Sequence, residues 1–211
     1  MAVSVGVCVA VSDSYAAHLS GWAVSVKALD PAPDQVVIAA QSRPTVELPP
    51  GWEWRPLRVS DEPSFGELWD QAIGAVDTDW VAWIGVDDRY RPGALAGIDE
   101  SPADVVAFGF AYTTGQTWLP NPTRENVLAC AANQVPCGSP LRRALWEPGF
   151  GNAFGPFGDW ATWVGLALAG AEFTTTGRID VDYYYDDHVP PPLEDYPRKL
   201  REWVEATCTR P

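Results

Sequence analysis

The chain has 211 residues, 46% of them hydrophobic, which fits one ordinary domain with a sizeable core and excludes a disordered class. Its formal charge of −14 makes duplex nucleic acid and anionic membranes poor partners, although a nucleotide held through a metal stays compatible with it. The four cysteines lack CxxC spacing and have no His nearby in sequence, so the usual zinc sites are excluded.

No run approaches the roughly 18 apolar residues of a membrane span. The apolar N-terminus lacks a basic leader region and alternates like a strand. The sequence therefore reads as soluble and cytoplasmic. Val3–Val11 is β-branched and predicts the first strand, and Ser12-Asp13-Ser14 supplies helix-capping residues. Leu19, Trp22, Ala23, Val26 and Leu29 recur every three or four positions and predict a helix over Tyr15–Leu29. Asp30-Pro31-Ala32-Pro33 stops it. Gln35–Ala40 and Trp54–Val59 are further strands, separated by the proline-rich loop Arg43–Gly51. Ser64–Val76 is helical, with Phe65, Leu68, Trp69, Ala72 and Val76 on one side. Trp80–Ile84 is an apolar run suited to a strand buried on both faces. This β-α-β-β-α-β order predicts right-handed crossovers and an α/β fold, a mainly parallel central sheet flanked by helices.

Further on, Pro92–Ile98 reads as a short helix and Asp104–Tyr112 as a strand. Thr113–Gln116 is a turn into Thr117–Leu119, and Glu125–Ala132 a short helix. Val135–Leu145 has a strand-like approach ending in Arg142-Arg143. Glu147–Gly158 is expected to be an exposed, shaped loop carrying Phe150, Phe154 and Phe157. Asp159 opens a strong helix with Gly170 as its C-cap. Phe173–Thr176 and Asp180–Tyr185 are candidate strands, and Tyr196–Thr207 a final amphipathic helix. The reading is one domain over 1–188 followed by a helical tail over 189–211. Most of the eleven Trp belong to packing, one or two to a cleft.

The candidate chemistry begins where the Trp80 strand meets Gly85, Val86, Asp87 and Asp88. Ligands of open α/β sheets bind at the carboxyl ends of strands. Adjacent acids there repel unless solvent, hydrogen bonds or a cation offset the repulsion. Mn²⁺ or Mg²⁺, held by one or two carboxylates plus substrate phosphates, suits this pattern. A plain strand followed by a solvated acidic turn is the alternative. No G-x-G-x-x-G follows the first strand and no Walker loop occurs, which argues against dinucleotide enzymes and P-loop enzymes.

Leu68–Asp88 (LWDQAIGAVDTDWVAWIGVDD) resembles the helix, strand and acidic turn of family-two glycosyltransferases with the GT-A fold. Asp87, Asp88 and Pro92 match the family's Asp-x-Asp region. Ser139-Pro140-Leu141-Arg142-Arg143, Trp146–Phe150 and Gly158-Asp159-Trp160, opening an Ala-Leu helix, resemble its acceptor side. The resemblance runs in order over about residues 3–188. Three positions depart from it. Gly85 stands for the first Asp, Gly158 for the Glu of a Glu-Asp pair, and Ala40-Gln41-Ser42 for the acid that reads the base.

The resemblance implies a hexosyltransferase-type enzyme. It would move a sugar from a nucleoside-diphosphate donor to a hydroxyl on a protein, a glycan or a modified base, with inversion and a divalent metal. Asp87 would be the first metal ligand; Asp88 would be a second ligand, a partner of bound water or a solvated turn acid. His188 would be a late ligand or an ordinary surface histidine. Asp159 would be the general base or only a helix cap, and the helix dipole is expected to lower its pKa. Ser12, Asp13 and Asp70 would contact the nucleotide, or serve as caps and a solvated helix residue. Arg142, with Arg143, would meet diphosphate or acceptor, or balance an acidic surface; Trp160 would stack on the acceptor or pack in the core. Gly85 and Gly158 also motivate a catalytically degenerate sugar-nucleotide-binding module. A nucleotidyltransferase would need a basic glycine-rich loop after the first strand, and Val11-Ser12-Asp13-Ser14 has none. A purely structural acidic protein is the remaining rival.

Overall fold

The structure is a computed structural model and describes residues 2–58, 65–147, 158–184 and 195–208. Its strands are β1 (Val5–Val11), β2 (Gln35–Ala40), β3 (Glu53–Pro56), β4 (Trp80–Trp83), β5 (Arg89–Tyr90), β6 (Val105–Tyr112), β7 (Thr117–Trp118), β8 (Leu141–Arg142) and β9 (Phe173–Tyr183). The helices are α1 (Leu19–Lys27), α2 (Phe65–Gly74), α3 (Arg124–Leu128), α4 (Gly158–Leu168) and α5 (Tyr196–Cys208).

The strands form one sheet in the order β3-β2-β1-β4-β8-β6-β9-β5, with β7 paired to β6. β1 to β4 are mutually parallel. β8 runs antiparallel to both β4 and β6, so β6 points the same way as β4, and β9 is parallel to β6. The carboxyl ends of β1, β2, β3, β4, β6 and β9 therefore share one edge of the sheet.

Strand alternation divides the core between the two faces. Val7 and Val9 of β1 pack with Leu19, Trp22 and Val26 of α1. Cys8 faces the other way, toward Trp69 and Ile73 of α2, Trp163 of α4 and Leu200 of α5. Trp83 centres that second layer. Its ring lies 5.2 Å from Trp163, 5.5 Å from Trp146 and 6.2 Å from Trp69. Truncating so large a buried ring costs about 3–5 kcal/mol. α4 ends in a Schellman motif at Gly170 (φ 96°), with Ala171 N–H donating to Leu166 O and Gly170 N–H to Ala167 O. α5 closes over α4, with Leu200 fully buried and Tyr196 5.5 Å from the Trp160 ring.

Several predicted elements change. The helix expected over Tyr15–Leu29 is a 3-10 segment, Asp13–His18, followed by α1. Ser12 precedes it without a side-chain cap, and its hydroxyl meets Ser14 instead. Pro92–Ile98 is a succession of turns, not a helix. Its backbone closes through successive i to i+3 turns, with Ala94 N–H on Arg91 O, Ala96 N–H on Gly93 O and Ile98 N–H on Leu95 O, and the Arg178 guanidinium also takes the carbonyls of Gly93 and Ala96, at 3.0 and 2.8 Å. The two strands expected after residue 172 are one, β9, because Gly177 (φ 69°) supplies the irregular turn that a break would have needed. β5 was not anticipated. The loop aromatics Phe150, Phe154 and Phe157 lie outside the described residues.

Candidate active site

β4 runs into a tight turn in which Asp88 N–H donates to Gly85 O at 3.0 Å. Asp87 is half-buried, whereas Asp88 is only 5% exposed. The Asp88 carboxylate accepts the Tyr184 N–H at 3.0 Å, which fastens the end of β9 to the acidic turn. Burial, then the Asp87 charge, pushes the Asp88 carboxyl well above the usual range; the Tyr184 bond and Arg89 oppose this. Asp88 is thus a buried, hydrogen-bonded acid rather than a solvated turn residue.

Gly85 explains how two acids fit. A Cβ there would lie 2.5 Å from Asp87 Oδ1 and 3.0 Å from Asp88 Oδ2. Both carboxylates occupy the space a side chain would need, so the departure from Asp-x-Asp is built into the turn. Arg89, which sequence reasoning missed, braces the same turn. Its Nη1 donates to Val86 O and Asp88 O at 3.0 and 2.7 Å, and its guanidinium lies 5.3 Å from the Tyr184 ring.

Asp159 stands in the first turn of α4, and its Oδ2 accepts from Asn133 Nδ2 at 3.0 Å. Burial raises its pKa to about 6, against the lowering effect of the Trp160 N–H and of Asn133. The lowered value expected from the helix dipole is therefore overturned: desolvation outweighs the hydrogen bonds at the helix terminus. Asp159 also lines a narrow hollow of about 10 Å³ with Gly66, Trp69, Trp83, Trp146, Gly158 and Thr162. That is room for about one water.

Two further side chains lie within electrostatic reach of all three acids. The Tyr183 hydroxyl is raised first by burial and then by the charges of Asp88, Asp159 and Asp87 among its neighbours. The Cys137 thiol is raised by burial and then by Asp159, Asp88 and Asp87. Cys137 comes from a loop laid over the end of β4. At Gly138 (φ 97°) a Cβ would collide with Ile84 and the Trp83 carbonyl. Only glycine tolerates both that backbone and that approach. The same loop carries Asn133. The Gly138 between Cys137 and Ser139 was the one sequence signal for this close approach.

On the first loop, Asp13 N–H donates to Gln41 Oε1 and the Ser42 hydroxyl to Asp13 Oδ2, both at 3.0 Å. The residues replacing the expected base-reading acid thus bind the loop after β1. Tyr15, in the 3-10 segment with Asp13, is raised by burial and then by the Asp87 charge. Asp70 lines a separate open hollow of about 420 Å³ with Ala39, Pro56, Leu57 and Arg58, where β2 and β3 end.

Three expected residues do not join the site. Arg142 belongs to the opposite edge: it pairs with Trp80 at the start of β4, lies 4.4 Å over that ring and donates to Ser101 O. Arg143 likewise donates to Val76 O. Trp160 is 3% exposed and packed on Tyr196, so its ring serves the core and presents no face to an acceptor. His188 lies outside the described residues. Among the described residues, no group of three or more His, Cys, Asp or Glu side chains is placed to hold a metal, and no helix is long and apolar enough to cross a membrane.

No protein-family model matches the sequence, and no curated protein matches it. Solved structures do. TarS of S. aureus in complex with UDP superposes with a TM-score of 0.69 at 15% identity, over 97% of this chain and 65% of that one. The TarS complex with UDP-GlcNAc gives 0.68 at 13% identity, over 97% and 66%. Glucosyl-3-phosphoglycerate synthase from Mycobacterium tuberculosis, with phosphoglyceric acid, gives 0.53 at 15% identity, over 99% and 81%. The chain spans 65% of the length of the first TarS structure. TM-scores of 0.69 and 0.68 over 97% of this chain agree: its fold is the GT-A fold.

Proposed function

We propose that the chain is an inverting glycosyltransferase that moves a sugar from a nucleoside-diphosphate donor to an acceptor hydroxyl. What supports this is the GT-A fold together with the adjacent acids Asp87 and Asp88 in the turn after β4 and a desolvated Asp159 in the first turn of α4. The UDP and UDP-GlcNAc bound by TarS support a uridine-type donor.

Ser12, Asp13 and Asp70 would receive the nucleoside over the ends of β1 to β3. The half-buried Asp87, with Asp88 Oδ2 beside it, fits a hard cation such as Mn²⁺ or Mg²⁺, which needs few protein ligands when donor phosphates supply the rest. When bound, the cation supplies positive charge to the leaving diphosphate. His188 is our candidate for a further ligand. Asp159 removes the acceptor hydroxyl proton as the acceptor oxygen bonds to the anomeric carbon. The bond from that carbon to phosphate breaks, and its electron pair leaves with the diphosphate. With a pKa of about 6, Asp159 is mostly ionised at neutral pH and more basic than an ordinary carboxylate.

The test is donor hydrolysis and transfer with Mn²⁺, in wild type, Asp87→Ala and Asp159→Asn. The reading expects turnover in wild type only. A second reading, a binding module without turnover, is motivated by Gly85 in place of an acid. Stabilisation by UDP with no hydrolysis under any metal would favour it.

A further inference from the structure

Beyond the acids, the same edge of the sheet carries four aromatic rings that no step above uses. Phe110 and Tyr112 come from the end of β6, Trp118 from β7 and Tyr183 from the end of β9. Their centroids lie 4.9 Å (Phe110–Tyr112), 5.1 Å (Phe110–Trp118), 5.8 Å (Phe110–Tyr183) and 5.7 Å (Tyr112–Tyr183) apart, at tilted or edge-on angles. All four are only partly buried, and Leu119 next to them is 54% exposed. Rings that could have closed a core instead stay in contact with solvent. A contiguous patch of this kind marks a binding surface more often than a packing error.

Its position narrows the occupant. Tyr183 belongs to this patch, and the next residue, Tyr184, gives its N–H to the Asp88 carboxylate at 3.0 Å. A molecule lying on the patch therefore lies beside the acidic turn. Aromatic faces carry negative quadrupole charge and attract the weakly positive C–H faces of sugar rings. Three nearby carboxylates and a chain charge of −14 repel an anionic chain.

We propose that Phe110, Tyr112, Trp118 and Tyr183 form an acceptor subsite for an uncharged glycan, whose terminal hydroxyl is thereby presented to Asp159. This deepens the transferase reading and rests on it for the final step. The binding itself is measurable without donor, metal or turnover.

The experiment uses the full chain and a panel of neutral hexasaccharides (β-1,4-glucan, chitin, xylan and mannan), with a heparin hexasaccharide as the anionic control. NMR titration follows the Trp118 indole N–H, assigned by its disappearance in Trp118→Phe. At least one neutral hexasaccharide should move that signal. Its Kd, measured in wild type and every variant by isothermal titration calorimetry, should rise roughly ten-fold or more in Tyr112→Ala and Trp118→Ala, and recover most of the loss in Trp118→Phe. The wild-type titration does not depend on whether the alanine variants fold. No movement with any neutral glycan, or movement with heparin alone, overturns the proposal. So does binding that the two alanine variants leave unchanged in folded protein. Absence of donor turnover would overturn the transferase reading while leaving this binding result to stand or fall separately.

Discussion

The two edges of the sheet use the same residue types to opposite ends. At the amino edge, Asp79 accepts both the N–H and the hydroxyl of Ser4, at 2.8 and 2.9 Å, and these bonds hold its carboxyl below the usual range. Arg142 and Arg143 are occupied by carbonyls there. At the carboxyl edge, Asp88 and Asp159 are buried and pushed upward. Solvent and short hydrogen bonds make an acid a staple. Burial that outweighs the donors makes it a stronger proton acceptor. Sequence alone presents both as Asp beside a strand.

The sharpest way to break this contrast is Asp159→Asn. Loss of a general base lowers transfer by roughly 10²–10⁴-fold. Steady-state kinetics with UDP-sugar donors would show it, and undiminished transfer would move the base elsewhere. Gly138→Ala should come next. It forces a side chain into the Trp83 carbonyl at φ 97° and so disturbs both the fold and the Cys137 loop. A loss of about 1–3 kcal/mol is expected in urea melts.

The pH dependence tests the same comparison. The folded-state pKa of Asp159, about 6, lies above its ordinary value of 3.8. Its contribution to stability is therefore fully present below about 4 and is lost as pH rises through 6. On the proposed role of Asp159, transfer is expected to move the other way and rise over that window as the carboxyl ionises. At pH 7.5, Asp159→Asn should melt higher than wild type by a few degrees, on the order of 1–3 kcal/mol, while it loses transfer. Asp79 has the opposite sign, so Asp79→Asn should lower the melting temperature slightly at that pH and leave kinetics alone. The smallest effect expected is Arg142→Ala. It gives up one stacked cation, about 1 kcal/mol, with donor and acceptor kinetics unchanged.

The parallel strands were legible because their apolar runs have the length and β-branching of buried strands; Val7, Ile38 and Val81 do sit at 0% exposure. Asp87 and Asp159 were singled out through motif order, and the structure places one in the turn after β4 and the other in the first turn of α4. What sequence could not supply was direction and depth. Arg142 lies close to the acceptor-side motifs in sequence, yet β8 runs antiparallel and carries it to the far edge. Trp160 follows Asp159, but one helical step turns it from the site into the core. Asn133 and Cys137 reach the acids only because Gly138 lets their loop touch β4, a contact with no periodic signature.

Gly21, on α1, has its own bearing on the acidic turn. A Cβ at that position would occupy the place of the Arg89 guanidinium. A single methyl on a helix more than sixty residues earlier in the chain would push that guanidinium off the carbonyls of Val86 and Asp88. The first helix therefore acts as a strut for the turn, and the setting of the acids can be altered there with every carboxylate left in place.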